Sequence, residues 1–429
     1  PATTPSSGTN FPQTVMHILQ KAFWGYALEP ICQEIFMEKK RILVVGGGAA
    51  GLMAAIAAAK KGAAVTILEQ NEKPGKKIGA TGNGKCNFTN LQMPKDAYRG
   101  AYPKFSQRAL EKFSVQDTVA FFSDLGLYPV NKNNGYFYPH SGQASSVTEV
   151  LCMAARSLGV KIKTNARVCD VIQEKESWKV KTEDWCYEGD AVILANGSCA
   201  SAISGSDGSG YELAKKLGHR VLRPLPALTA LKCKKTGFSG WAGVRTEGKV
   251  TVYIDGKETV SERGELQLTE YGVSGIPVFQ VSRYAIRAFE EKKQVSLALN
   301  FLPEFDQEQL HRFLEQRRKC VPYKEKREFL VGLFPEKLNK VLLAEKNLEE
   351  AISSYSLKMT GYLPFEQAQV CSGGVSVLEI SEETMESRLH PGLFFAGELI
   401  DIDGKCGGYN LQWAWSSGYV AGSRAGEAS

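Results

Sequence analysis

The stretch "RILVVGGGAAGLMAAIAAAKKGAAVTILEQ", Arg41 to Gln70, constrains the fold more than any other part of the chain. Ile42–Val45 is a short aliphatic run of the kind that forms a buried parallel strand. Gly46-Gly47-Gly48-Ala49-Ala50-Gly51 spells G-x-G-x-x-G, Leu52–Lys61 is alanine-rich and helical, and Gly62 stands where a helix C-cap belongs. Ala64–Leu68 is a second strand, with Glu69 at its end. Each residue type has a physical task in this order. Gly46 permits a tight turn, Gly48 lets the main chain approach a pyrophosphate with no Cβ between them, and Gly51 lets the helix pack closely on the strand. The helix N-terminus offers free N–H groups and a positive dipole end to the phosphates. Glu69 can accept hydrogen bonds from ribose hydroxyls, and its charge repels a 2′-phosphate. Ala49, Ala50 and Gln70 lie in the same turns and join the candidate contacts.

Such a unit binds ADP, which both FAD and NAD contain, and two further features select FAD. The first is the loop after Glu69, "NEKPGKKIGATGNGKCNFTN", rich in glycine and lysine and so able to run beside phosphates and a ribityl chain. The second lies at the far end of the sequence. "HPGLFFAGELIDIDGKCGGYNLQWAWSSG" reads as a strand, Leu393–Ala396, then Gly397-Glu398, a loop, and a helix beginning near Tyr409. A glycine turn at Gly408 leading into a helix N-terminus can set N–H groups against the flavin edge where negative charge grows on reduction. On this reading the two ends of the chain meet at one cofactor, while Trp413 and Trp415 serve helix packing.

Composition excludes several other classes. The chain of 429 residues is 43% hydrophobic and 23% charged, with 52 Lys+Arg against 46 Asp+Glu and a formal charge of +6. Its basic clusters are short, which argues against a nucleic-acid partner and for a small-molecule one. The 10 cysteines show no C-x-x-C pair and no ligand spacing, so no metal site is expected and cytoplasmic, reduced thiols are. No apolar run is long enough for a transmembrane segment. Pro1–Phe36 is read as an extension outside the main fold, without the basic start and apolar core of a signal peptide.

Between the two glycine segments, helical spacing marks Lys104–Leu125 and Ser146–Leu158. Ala166–Ile172, Trp178–Thr182 and Cys186–Asp190 suggest an antiparallel meander, and Ala191–Asn196 a strand returning to the main sheet. From Leu225 to Ser356 short strands precede charged helices. The expected architecture is α/β: a Rossmann-like FAD-binding domain built from two chain segments, 37–224 and 357–429, around an inserted β-then-α domain at 225–356 that is expected to act as a lid over the flavin and form much of the substrate pocket.

"KPGKKIGATGNGKCNFTN", "GYFYPHSGQASSV", "GELQLTEYGVSGIPVFQVSR", "CSGGVSVLEI" and the C-terminal block resemble, in the same order, the BaiN-like or aminoacetone-oxidase-like family of bacterial NAD(P)/FAD-dependent oxidoreductases. The resemblance runs from Met37 to about Ala425. It implies non-covalent FAD, with contacts carried over by motif to Gly46, Gly48, Gly51, Glu69, Lys77, Gly84, Asn87, Gly397, Glu398, Asn410 and Leu411, and with Val168 meeting the adenine. It also implies a small or steroid-like substrate and NAD(P)H or oxygen as redox partner. NAD(P)H is expected as a transient co-substrate, because no second glycine-spaced βαβ unit follows. One block departs from the family pattern: "LANGSCASAISGSDGSGY" has Asn196, Ser198 and Ser201-Ala202 where the family has Thr, Gly and Tyr-Pro, so a pocket lined by that loop differs from those of better-known members. Tyr138, His140, Tyr409, Cys86 and Cys406 are candidate proton donors, and none is singled out as catalytic. A flavin-containing RNA-modifying or RNA-binding protein is the alternative function, which a basic channel beside the flavin would support.

Overall fold

The computed structural model describes residues 39–132, 135–235 and 238–427. The expectation for Pro1–Phe36 lies outside the described residues. Five parallel strands form the main sheet, in the order Leu393–Phe395, Ala191–Leu194, Arg41–Val45, Ala64–Leu68, Lys161–Lys163. Ile42 stands opposite Ala191 on one side and Val65 on the other, so the first strand is central. Its run of aliphatic side chains follows from that position, since a central parallel strand is covered on both faces. The C-terminal strand joins the sheet at its edge, beside the returning strand Ala191–Leu194.

The glycine turn feeds the helix Ala49–Lys60, almost all of which is buried. Against it lies the C-terminal helix, Tyr409–Gly426. Glycines at 418, 422 and 426 face alanines at 50, 54 and 58. A Cβ added to these glycines would stand 2.5, 2.1 and 2.8 Å from the carbonyl oxygens of Ala50, Ala54 and Ala58. One residue per turn on each helix, in the same order along both, means that the helices run parallel with backbones in contact. Both N-termini therefore point the same way.

The meander is present as antiparallel strands Val168–Glu174, Ser177–Thr182 and Cys186–Gly189. The periodic stretch Lys104–Leu125 is two helices, Phe105–Lys112 and Val115–Asp124. Ser114 splits it: its hydroxyl accepts from the Asp117 N–H while the Asp117 carboxylate accepts from the Ser114 N–H. That reciprocal cap starts a new helix where the hydrophobic spacing alone suggested continuity.

A second core fills a closed antiparallel barrel, in the order Leu231–Lys234, Gly272–Ser274, Lys257–Leu268, Arg245–Ile254, Val295–Asn300, Tyr355–Tyr362. The element order departs from strands followed by helices. The helix Ile276–Glu290 enters between the fourth and fifth strands in chain order, and the last strand comes after the charged helices, straddling residue 356. Closure explains the late strand, because both edges of the sheet are satisfied only when Tyr355–Tyr362 pairs with Val295–Asn300 and Leu231–Lys234. Among the described residues no helix is long and apolar enough to cross a membrane.

Candidate functional site

A cavity of about 920 Å³ opens at the N-terminal ends of the two parallel helices. Gly48 is the N-cap of the first and Gly408 of the second, and neither helix end is capped by a side chain. Two sets of free N–H groups and two positive dipole ends thus face one space, an arrangement that favours negative charge there. Gly46 is held at φ +100° with the Ala195 carbonyl oxygen 2.5 Å from where a Cβ would sit, so only glycine fits the turn. At Gly48 an added Cβ would meet nothing within 4 Å, because it would project into the cavity.

Of the residues singled out from the sequence, Gly46, Gly48, Ala49, Ala50, Glu69, Gln70, Lys77, Asn87, Val168, Gly397, Glu398, Gly408, Asn410 and Leu411 all line this cavity. Gly51 does not. A Cβ there would lie 1.9 Å from the Gly46 carbonyl oxygen, so its task is close packing of helix on turn. Gly84 is exposed and also stands outside the wall. The loop that departs from the family pattern contributes Asn196, Gly197, Ser201 and Gly205 to the lining.

The polar groups divide into those already committed and those left open. The Glu69 carboxylate accepts from the Gly47 N–H at 2.7 Å and from the Asn71 N–H and side-chain amide at 2.8 and 2.7 Å. Its oxygens have about four acceptor positions, so one is left for a hydroxyl. Gln70 donates to the Gly205 carbonyl, tying the second strand's end to the 196–209 loop. Lys77 pairs with Glu398 at 2.6 Å, and Ser198 donates to the same carboxylate oxygen at 3.1 Å. This joins the loop after Glu69 to the C-terminal segment. Asn410 spends its side chain on the turn, accepting from the Gly404 N–H at 2.8 Å and donating to its carbonyl at 3.0 Å. By contrast, the buried Oδ1 atoms of Asn87 and Asn196 have no partner among the described residues. Buried acceptors without donors are costly, and both belong to cavity-lining residues, so a ligand with hydroxyl or N–H groups fits them. Uncapped helix ends for phosphate, Glu69 for ribose and these amides for a ring edge together suit an ADP-containing flavin.

Among the proton-donor candidates, Tyr138 and Cys406 line the cavity, while His140, Tyr409 and Cys86 do not. His140 is exposed and lies against Tyr128, with ring centroids 5.3 Å apart. Burial pushes the Cys86 thiol up to about 12 and the Tyr409 phenol up to about 12. Burial also raises Tyr138 above the ordinary phenol range and Cys406 to about 11, so both keep their protons at neutral pH. Trp413 and Trp415 are fully buried and donate to the carbonyls of Gly397 and Phe88 at 3.0 and 2.9 Å, braces for the turn rather than cavity wall. Sequence reasoning missed Tyr136, and it named no individual lining residue of the inserted domain, which contributes Arg245 and Gln267 from barrel strands and Ile276 and Phe279 from the helix Ile276–Glu290. Tyr136 was findable, since it sits two residues before Tyr138 on one strand and so on the same face.

Comparison with known proteins agrees with this geometry. The family model described as HI0933-like protein Rossmann domain matches residues 40–424. A 3-dehydro-bile acid delta(4,6)-reductase of Clostridium scindens is 42% identical over 382 residues, 85% of this chain and 93% of that protein. A ribosomal RNA dihydrouridine synthase of Haemophilus influenzae is 30% identical over 381 residues, 84% of this chain and 92% of that one. The crystal structure of a 3-ketosteroid delta1-dehydrogenase from Sterolibacterium denitrificans shares the fold, with a TM-score of 0.52 at 12% identity over 91% of this chain and 100% of that one.

Proposed function

Because this chain belongs to the HI0933-like Rossmann-domain family, we propose that its cavity holds FAD without a covalent link and reduces a conjugated ketone of steroid-like shape, with NAD(P)H as the electron source. The chain is an oxidoreductase. The observation that carries the cofactor assignment is the pair of parallel helices whose uncapped N-termini open on one cavity. Two aligned dipoles side by side repel each other, and an extended anionic dinucleotide between their ends offsets that cost.

In this reading Gly46, Gly48 and the first helix hold the pyrophosphate, and Glu69 holds the ribose. The turn Gly407-Gly408 with the second helix meets the flavin edge. When bound, FAD supplies two-electron hydride chemistry. The chain's own residues bind it, orient it and keep water from its reactive face. The helix Ile276–Glu290 of the inserted domain contributes Phe279 and Ile276 to the same wall, an apolar surface suited to a fused-ring substrate, and so acts as the substrate half of the site. The substrate class follows the delta(4,6)-reductase relative.

The ribosomal RNA dihydrouridine synthase relative makes RNA the second substrate to test. Against it, the lining holds three cations, Lys76, Lys77 and Arg245, of which Lys77 and Arg245 are paired with Glu398 and Glu265, so the cavity itself is no continuous basic channel. The test is direct. Purified protein should be yellow and release FAD on heating. Anaerobic NADH or NADPH should bleach it, and a 3-oxo-Δ4 steroid should restore the colour. With nicotinamide and substrate visiting the same space in turn, steady-state kinetics should be ping-pong. Protein that takes up no FAD ends the proposal; reoxidation by RNA and not by enones transfers it to the second substrate.

A further inference from the structure

Two tyrosines on one strand stand in the cavity wall. The strand Tyr136–Pro139 alternates, so Tyr136 and Tyr138 share one face while Phe137 turns to the other and packs on Phe88 at 6.3 Å. Both tyrosines line the cavity. The Tyr136 ring lies against the C-terminal glycine turn: its Cε1 is 2.8 Å, and its hydroxyl 3.5 Å, from where a Cβ on Gly407 would stand. Gly407, at φ +124°, is doubly required, by its backbone angle and by this ring. Tyr138 lies across from the other glycine loop, its Cε1 3.7 Å from a Cβ position on Gly82.

Among the described residues neither hydroxyl has a hydrogen-bond partner. Other phenols of the chain divide: the Tyr98 hydroxyl donates to the Tyr409 carbonyl at 3.1 Å and the Tyr362 hydroxyl to Glu290 at 2.8 Å, while the buried Tyr211 hydroxyl has no partner among the described residues. Neither oxygen is buried, so both hydroxyls open from the cavity wall and are free to donate to an acceptor on a substrate held there.

Resting on the FAD-dependent reductase reading above, we propose that Tyr136 and Tyr138 grip the carbonyl oxygen of the conjugated ketone and stabilise the charge that gathers on it during reduction. The electron count is simple. Bound FAD would supply a hydride (two electrons and a hydrogen) to the β-carbon of the enone; the C=C π pair would become the double bond between the α-carbon and the carbonyl carbon, and the carbonyl π pair would pass to the oxygen, giving an enolate. A proton from water then adds at the α-carbon and the carbonyl re-forms. Both phenols keep their own protons throughout, donating hydrogen bonds that strengthen as the oxygen becomes an enolate. Burial, which holds Tyr138 protonated, serves that role.

The test compares binding, not only turnover. FAD-loaded wild type, Tyr136→Phe, Tyr138→Phe and the double variant are titrated with a 3-oxo-Δ4 steroid and with the same steroid lacking the 3-oxygen, by calorimetry on the oxidised enzyme. Wild type should prefer the ketone by roughly tenfold to a hundredfold, the effect of two neutral hydrogen bonds. Each single variant should lose part of that preference, and the double variant should bring the ratio near one. Affinity for the deoxy analogue and FAD content should not change. A preference that survives in the double variant overturns the proposal alone. Absence of any preference in FAD-loaded wild type overturns it together with the ketone substrate. Loss of FAD content in the variants also overturns it, by showing that the rings serve packing.

Discussion

Gly422→Ala is a small change placed where the structure has no room. The new methyl would stand 2.1 Å from the Ala54 carbonyl oxygen and 2.7 Å from its carbonyl carbon and Cα. An ordinary C···O approach is about 3.3 Å or more, so the helices Ala49–Lys60 and Tyr409–Gly426 must part by roughly 1 Å. All three atoms are backbone, and no side-chain rotation relieves them. Overpacking of this kind costs about 1–3 kcal/mol, set against a gain of about 0.5–1 kcal/mol from replacing glycine within a helix. The net loss is about 1–2 kcal/mol, or a few degrees in melting temperature for a chain of this size. The same separation moves apart the two helix ends that frame the cavity, so FAD affinity should fall as well. Thermal melts of the FAD-free and FAD-loaded protein measure both effects. The series should rank Gly422→Ala worst, Gly418→Ala next and Gly426→Ala mildest, following clashes of 2.1, 2.5 and 2.8 Å. A Gly422→Ala protein that melts at or above wild type would refute backbone contact between these helices.

Glu69→Ala should weaken FAD binding roughly tenfold to a hundredfold, the effect of losing a charge-assisted hydrogen bond, and equilibrium dialysis of the flavin would show it. Unchanged affinity would mean that the carboxylate serves only Gly47 and Asn71. At the joint between the helix Ile276–Glu290 and the C-terminal segment, Arg283 meets Asp403 at 2.8 Å, with Arg99, Arg287 and Asp401 nearby. Burial outweighs these cations and pushes the Asp403 carboxyl up to about 6 from an ordinary 3.8. The folded state then holds the proton more tightly than the unfolded one. Its contribution to stability is full below about pH 4 and is lost as pH rises through 6, by an amount on the order of 3 kcal/mol. Asp403→Asn should therefore gain on wild type as pH goes from 4 to 7 in parallel melts; a gap that stays flat or moves the other way would show that the Arg283 pair dominates.

Much of the cavity lining proposed to hold the cofactor was legible because its signals are local. A strand's run of aliphatics, a glycine needed for a positive φ and a helix that starts without a cap are properties of a few consecutive residues. Gly46, Gly48, Glu69 and the Gly408 turn could be found in this way. Gly84 was carried over by motif alone and stands outside the cavity wall. The break at Ser114 was also local, and the Ser-to-Asp spacing of a capping box could have shown it. The barrel was harder. Its last strand pairs with residues far back in the chain, and periodicity does not say which strands will close on which.

By itself, the sequence determined the strand–turn–helix–strand unit, the second glycine turn and the redox class, since backbone freedom at glycine and hydrophobic period act within a few residues. Tertiary structure decided what those pieces face. It set Gly418, Gly422 and Gly426 against Ala50, Ala54 and Ala58, aligning two helix dipoles on one cavity. It paired Lys77 with Glu398 and laid Tyr136 on Gly407. The same packing brought Phe279 and Ile276 of the helix Ile276–Glu290 to the cavity wall. These contacts join residues hundreds of positions apart. They exist because burying two cores leaves one arrangement in which the backbones fit, and no local pattern carries that information.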